Sequence, residues 1–297
     1  MRLAAVDVGS NTVHALVADV ERGRLEEVAH YVEMPELGTQ VARTGAIGAQ
    51  SKVALRALRS VVAKARSHNF EVLIAAATQA VRQAKDGPEF AKEAGEAIGT
   101  RVHVITSQRE AQLSFLGVAS RHAVRQEWAM TDLGGGSTEV VIAKGKDLLR
   151  DAMMPIGSGV LASTYLSDPP KPEERARLRK SALRELIHLP DAEVVRLVAT
   201  GGTASNLPMV LNRLNPPPVL TTADLLTCEA RLDAGRAGEV ARTVELPVNR
   251  VKVMRAGVDV LLLMLDWYGL AALQISHEGL RHGMLLAYLA RSKDWWS

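Results

Sequence analysis

Asp132-Leu133-Gly134-Gly135-Gly136-Ser137-Thr138-Glu139 decides the fold: it follows the strand-like Trp128–Leu133 pattern and runs into Val140-Val141-Ile142. A counterpart, Asp7-Val8-Gly9-Ser10-Asn11-Thr12, follows Leu3-Ala4-Ala5-Val6. In each, an aspartate closes an apolar run and glycine opens a tight turn. A turn without Cβ atoms lets backbone N–H groups point at an anion, and neighbouring hydroxyls add donors. An aspartate beside it can hold a hydrated divalent cation, which neutralises phosphate charge. Two such turns facing each other would clamp a phosphoryl group, so the pattern predicts phosphoryl chemistry.

Outward from these turns, the chain reads as one layout used twice. Leu3–Val8, Val13–Val20 and Leu25–Val32 predict three successive strands, with turns at Gly9-Ser10 and Glu21-Arg22-Gly23. Ser51–Ser67 carries apolar residues at helical spacing, Val72–Ala77 is a strand, and Pro88–Ile98 is a helix stopped by Gly99. A strand at Val102–Ile105 and a helix at Arg109–Val118 follow. The pattern then restarts. Strands are expected at Trp128–Leu133, Glu139–Lys144, Leu148–Pro155 and Val194–Thr200, and helices at Ser158–Leu166 and Pro172–Ile187. A third turn, Gly201-Gly202-Thr203-Ala204-Ser205-Asn206, comes next. Asn215-Pro216-Pro217-Pro218 reads as a stiff connector. Helices from Thr221 or Thr222 to Arg231, Arg250–Trp267 and Leu280–Arg291, with a strand at Leu273–Ser276, complete the chain. The fold class is therefore α/β, with duplicated domains at 1–124 and 125–297, a cleft between them, and the last helix packing back on the first.

Composition bounds the function. The chain has 297 residues, 47% hydrophobic and 23% charged, in the ordinary range for a soluble globular protein. Aromatics are only 4%, so the core must be built from Ala, Val, Leu and Ile. A net charge of +3 does not fit a dedicated nucleic-acid binder. Cys228 is the only cysteine, which rules out an intrachain disulfide and reads as a packed thiol. Val258–Leu265, the most apolar run, is too short to span a bilayer and reads as core or dimer surface. With no secretory leader pattern, a cytoplasmic enzyme is expected, leaving a homodimer open. The basic run Lys171–Arg184 reads as a solvated helix face, with a polyanion track as the alternative.

An ordered set of motifs extends through nearly the whole chain: Asp7–Asn11, Ala77-Thr78-Gln79-Ala80-Val81-Arg82, Glu110-Ala111, Asp132–Glu139, Pro155-Ile156-Gly157, Ala199–Ala204 and Gly279-Leu280-Arg281. In this set the chain resembles the exopolyphosphatase/guanosine pentaphosphate phosphohydrolase (Ppx/GppA) family. That family belongs to the superfamily of actin-like, ribonuclease-H-like ATPases, sugar kinases and heat-shock chaperones. The resemblance implies that Asp7, Asp132 and Glu139 organise Mg²⁺, with Mn²⁺ as the other candidate. It implies that Ser10, Asn11, Arg82, Gly135, Gly136 and Ser137 bind the terminal phosphate. Gly201, Gly202 and Thr203 then line the channel or bind a later phosphate. Glu110 matches the family's catalytic glutamate, which orients and deprotonates the attacking water, with Glu139 near the metal or the water. Read without the resemblance, Glu110 is a glutamate on a predicted helix, where most are merely solvated. His14 is expected to pack or to contact the channel, and His277 and His282, flanking Glu278, do not make a metal set.

The substrate implied is inorganic polyphosphate, with guanosine pentaphosphate or tetraphosphate as the alternative partner. A non-catalytic sensor of polyphosphate or alarmone is a third reading, and intact Glu110, Asp7 and Asp132 argue against it. Departures from the family pattern include Glu36, Ser107, Arg109, Lys252 and His282. They leave substrate preference in question rather than reaction type. Longer relatives add helical domains, so this two-domain length predicts short or medium polyphosphate as the preferred substrate.

Overall fold

The computed structural model describes residues 1–21, 24–213 and 219–297. The expected turn at Arg22-Gly23 and the Asn215–Pro218 connector lie outside the described residues. The chain divides into two compact units: Met1–Gly117 with Glu278–Ser297, and Val118–His277.

The first unit begins with an antiparallel meander of β1 (Arg2–Val8), β2 (Val13–Glu21) and β3 (Arg24–Glu33). Then come α1 (Leu37–Thr44), α2 (Ser51–Arg66), β4 (Val72–Ala77), α3 (Gln79–Gln83), α4 (Gly87–Ile98), β5 (Val102–Val104) and α5 (Ser107–His122). The sheet order is β3-β2-β1-β4-β5, with β1, β4 and β5 parallel. Strand alternation sends side chains to opposite faces. Ala4, Val6 and Val8 join a core with Leu58, Val61 and Val62 of α2. Leu3 and Ala5 join a second core with Leu280 and Met284 on the other face. Both faces of β1 are thus covered, which explains why it reads as an unbroken apolar run.

The second unit repeats this plan with β6 (Glu127–Leu133), β7 (Thr138–Lys144) and β8 (Asp147–Met154) as its meander. It continues through α6 (Ser158–Tyr165), α7 (Pro172–Leu186), β9 (Leu197–Thr200), α8 (Leu207–Val210), β10 (Val219–Thr221), α9 (Thr222–Leu232), α10 (Ala237–Val244), α11 (Val248–Trp267) and β11 (Ala272–Ile275). Its sheet, read as β8-β7-β6-β9-β11-β10, has the order of the first sheet plus one antiparallel edge strand. The last helix, α12 (Leu280–Arg291), belongs to the first unit.

Val258, Val260 and Leu261 on α11 are completely buried within the second unit's core, so this apolar run is core. Cys228 is buried with Sγ directed at the Leu207 carbonyl, and burial pushes its thiol up to about 12. The basic run on α7 is only in part a solvated face. Arg175 is buried, with Nε 2.6 Å and Nη2 2.7 Å from the two oxygens of Asp233, and it also bonds Asp259. Arg179 Nε donates to Asp259 at 2.6 Å. These two arginines keep the fully buried Asp259 paired, which a buried carboxylate requires.

Candidate active site

The glycine turn of the first unit joins β1 to β2, closing where Val8 pairs with Val13, and Asp7 stands opposite His14. Gly9 N donates to the Thr12 carbonyl at 2.9 Å. The loop before α1 braces this turn: Gly38 N bonds the Ser10 carbonyl at 2.7 Å and Glu36 N bonds the Asn11 carbonyl at 3.1 Å. A Cβ on Gly38 would lie 2.8 Å from Ser10 Cβ, so glycine is what lets the chain lie flat there. Asp7, Ser10 and Asn11 are all buried polar residues. Ser10 Oγ donates to Gln79 Oε1 at 3.1 Å, and Arg281 Nη1 lies 3.6 Å from Asp7 Oδ2. His14 packs as expected: its Nε2 meets Thr12 Oγ1 at 2.7 Å and its ring stacks on His30.

Arg82 and Glu110 come together in the same unit. β4 ends beside the turn, with Thr78 N on the Val8 carbonyl at 3.1 Å, and the short α3 then presents Arg82. Arg82 Nη1 donates to the Ile105 carbonyl at 2.7 Å and to Glu110 Oε2 at 3.1 Å. Glu110 sits in the first turn of α5, and only 9% of the residue is exposed, so it is not a merely solvated helical glutamate.

The second unit rebuilds the turn residue for residue. Leu133 pairs with Thr138, Asp132 stands opposite Glu139, and Gly134 N donates to the Ser137 carbonyl at 3.0 Å. Ser137 Oγ donates to the buried Glu139 at 2.7 Å. α6 starts against the turn. A Cβ on Gly157 would lie 2.5 Å from Gly135 C and Gly136 N. The Ser158 and Gly159 amides donate to the Gly134 and Gly135 carbonyls, each at 2.9 Å. Trans peptide planarity then turns the Gly135 and Gly136 N–H groups away from α6.

The third turn lies beside the second. Gly201 adopts φ 95°, and a Cβ there would be 2.5 Å from the Leu133 carbonyl oxygen and 3.2 Å from Asp132 Oδ1. A Cβ on Gly202 would be 2.1 Å from Arg250 Nη1, so the guanidinium lies on the turn. Thr203 is buried under Gly257 of α11. Sequence reasoning singled out neither Arg250 nor Arg281 as a site residue. The motif ending in Arg281 and the close-packed Gly201-Gly202 pair were the available signals. Arg250 is 8% exposed and makes no ion pair or hydrogen bond among the described residues, and burial disfavours its charged form.

Asp7, Asp132 and Glu139 are oxygen donors, the chemistry that hard divalent cations take. Among the described residues no three His, Cys, Asp or Glu side chains gather at metal-ligand spacing. A Mg²⁺ held by one or two carboxylates, water and substrate phosphate fits the carboxylates that either turn supplies by itself.

These features define an α/β protein with the actin-like two-domain fold. Residues 16–292 match the Ppx/GppA phosphatase family, and the chain belongs to it. The chain is similar to the Aquifex aeolicus Ppx/GppA family member: 28% identity, 99% of both chains covered, TM-score 0.81. A second Aquifex aeolicus PPX-GPPA structure shows 29% identity over 97% of this chain and 99% of that one, with TM-score 0.79. An exopolyphosphatase from Cytophaga hutchinsonii shares the fold at 23% identity, with 98% of both chains covered and TM-score 0.88. Among the described residues no helix is long and apolar enough to cross a membrane.

Proposed function

We propose that the protein is an exopolyphosphatase that removes terminal orthophosphate from inorganic polyphosphate. The observation that supports this reading is the packing of two glycine turns and a buried arginine against one another in the second unit. The Gly201-Gly202 turn abuts Leu133 at the start of the Gly134–Ser137 turn, and the buried Arg250 lies on Gly202. A row of similar phosphate-binding elements suits a substrate built of repeated identical phosphates.

In this mechanism Ser10 and Asn11 of the first turn and Gly135, Gly136 and Ser137 of the second bind the terminal phosphate. Arg82 contributes its guanidinium to the phosphate while keeping Glu110 in place. Glu110 accepts a proton from water as the water oxygen attacks the terminal phosphorus. The phosphoanhydride P–O bond breaks, its electron pair leaves with the penultimate phosphate, and orthophosphate is released. Gly201, Gly202 and Thr203, with Arg250, bind a later phosphate. Asp7, Asp132 and Glu139 are the carboxylates that would hold Mg²⁺ (or Mn²⁺), which when bound supplies positive charge to the phosphate oxygens.

The test is Mg²⁺-dependent phosphate release from short and long polyphosphate and from guanosine pentaphosphate, with Glu110→Gln in parallel. Release from polyphosphate by the parent and not by E110Q is expected. Release from the nucleotide alone would replace this reading with guanosine pentaphosphate 5′-phosphohydrolase. Binding of polyphosphate without release from any substrate would make the protein a sensor.

A further inference from the structure

Arg109 stands one residue before Glu110 in the first turn of α5, and it is placed where an arginine is unfavourable. A cation there opposes the positive end of the helix dipole. Burial, and then the charge of Arg291, disfavours its charged form. It forms no ion pair among the described residues, and its buried Nε has no acceptor there. What its guanidinium does is tie two segments: Nη2 donates to the Trp295 backbone carbonyl and Nη1 to Gln112 Oε1 at 3.3 Å.

Trp295 is a fixed anchor. It is 2% exposed and shares an apolar cluster with Leu3, Leu16, Leu113 and Met284, and its ring meets His103 edge-on at 5.5 Å. Its carbonyl is therefore held by the core of the first unit. The first turn of α5 has fewer supports, because the initial N–H groups of a helix lack intrahelical acceptors. Thr106 caps one of them, its Oγ1 accepting from Arg109 N at 3.1 Å, while its carbonyl takes the first i→i−4 bond, from Glu110 N at 2.9 Å.

We propose that Arg109 is a positioning residue: by fastening the first turn of α5 to Trp295, it fixes the backbone from which Glu110 projects. Arg82 holds the Glu110 carboxylate from one side, and Arg109 holds its main chain from the other end of the residue. This rests on the assignment of Glu110 as the base. A base displaced by a fraction of an ångström loses alignment with the attacking water while phosphate binding persists, so the role separates kcat from KM.

The experiment compares Arg109→Ala and Arg109→Lys with the parent in the full-length chain. It measures steady-state phosphate release, thermal melting, and hydrogen exchange of the amides at 108–112 and 293–297. For R109A we expect kcat to fall about tenfold with KM changed less than about twofold. Both amide segments should exchange faster, and R109K, which keeps a charged donor, should recover most of the rate. Unchanged exchange, faster exchange with an unchanged kcat, or an R109K as slow as R109A would overturn the proposal. If R109A does not fold, R109K and Arg109→Gln are read by the same criteria. Glu110→Gln in parallel separates two failures. An active E110Q removes the assigned base, whereas an inactive E110Q beside an unaffected R109A removes only the positioning role.

Discussion

Arg82 serves Glu110 and the Ile105 carbonyl with one guanidinium nitrogen: Nη1 donates to Glu110 Oε2 at 3.1 Å and to the Ile105 carbonyl at 2.7 Å. The side chains are 22% and 11% exposed, so solvent replaces either bond poorly. Arg82→Ala is expected to lose about 1–2 kcal/mol of stability, the usual scale for stranding a largely buried acceptor. Its kcat should fall about 100-fold, since both the phosphate contact and the alignment of Glu110 are lost. Arg82→Lys keeps the charge without the planar fork and should fall between the two. Melting curves and phosphate release read the two effects, and an R82A with parental kcat would dissociate Arg82 from the chemistry.

The crossing of α5 and α12 is built on glycine. A Cβ at Gly283 would stand 1.7 Å from the Leu113 carbonyl oxygen, and one at Gly117 would stand 2.2 Å from the Gly279 oxygen. Both obstacles are backbone, which cannot swing aside as a side chain does. Gly283→Ala should therefore destabilise by about 2–3 kcal/mol or more. Gly238→Ala in α10, where a Cβ meets nothing within 4 Å, should gain up to about 1 kcal/mol. Urea unfolding of both variants checks the contrast, and an equally stable G283A would contradict so close a crossing.

The duplicated plan was legible because period-two apolar strands and glycine turns are local signals, and both meanders appear where that pattern lies. Helix α1 was not legible. It begins after Glu36 in a left-handed conformation (φ 55°) and carries Gly38 in its first turn, so its sequence reads as loop. The need to lie on Ser10 decides its structure, and that contact is tertiary. Likewise α10 opens with Ala237-Gly238 after its N-cap Arg236, a weak helix signal. Burial of Arg175 was hidden inside a run of like charges, because its partners Asp233 and Asp259 come from α11 and the turn after α9. Arg250 was missed for the same reason: the turn on which it lies belongs to a distant part of the sequence.

Acid stability should depend in part on Glu174. Its carboxylate accepts from the Ser167 amide at 3.0 Å, the Lys171 amide at 2.9 Å and Ser167 Oγ at 2.7 Å. The Ser167 amide is the largest cause, followed by the Lys171 amide, and together with the hydroxyl these bonds lower its pKa to about 2. A carboxyl whose folded value is depressed stabilises fully above its unfolded value and loses that contribution as pH falls through the folded one. The advantage of the parent over Glu174→Gln should be constant at neutral pH. It should shrink from about pH 4.5 down to about pH 2, when chemical unfolding is measured across that range. A difference that does not change with pH would mean the carboxylate's charge contributes nothing.

Arg250 predicts an opposition between stability and function. The residue is 8% exposed, and burial disfavours its charge. It finds no compensating ion pair or hydrogen bond among the described residues. A buried cation in that state weakens the free protein, and replacing it with an apolar side chain of similar length should relieve the strain. Arg250→Met is therefore expected to gain about 1 kcal/mol in the absence of ligand. If Arg250 binds a substrate phosphate through the Gly201-Gly202 turn, the same change should raise KM for polyphosphate by about tenfold or more. Tripolyphosphate should raise the melting temperature of the parent and do so less for R250M, because a ligand stabilises only by binding the folded state. A structural arginine would behave the other way: R250M would melt lower without ligand, and its KM and its protection by tripolyphosphate would match the parent. The two readings differ in the sign of one measurement and the presence of another, so no single outcome suits both.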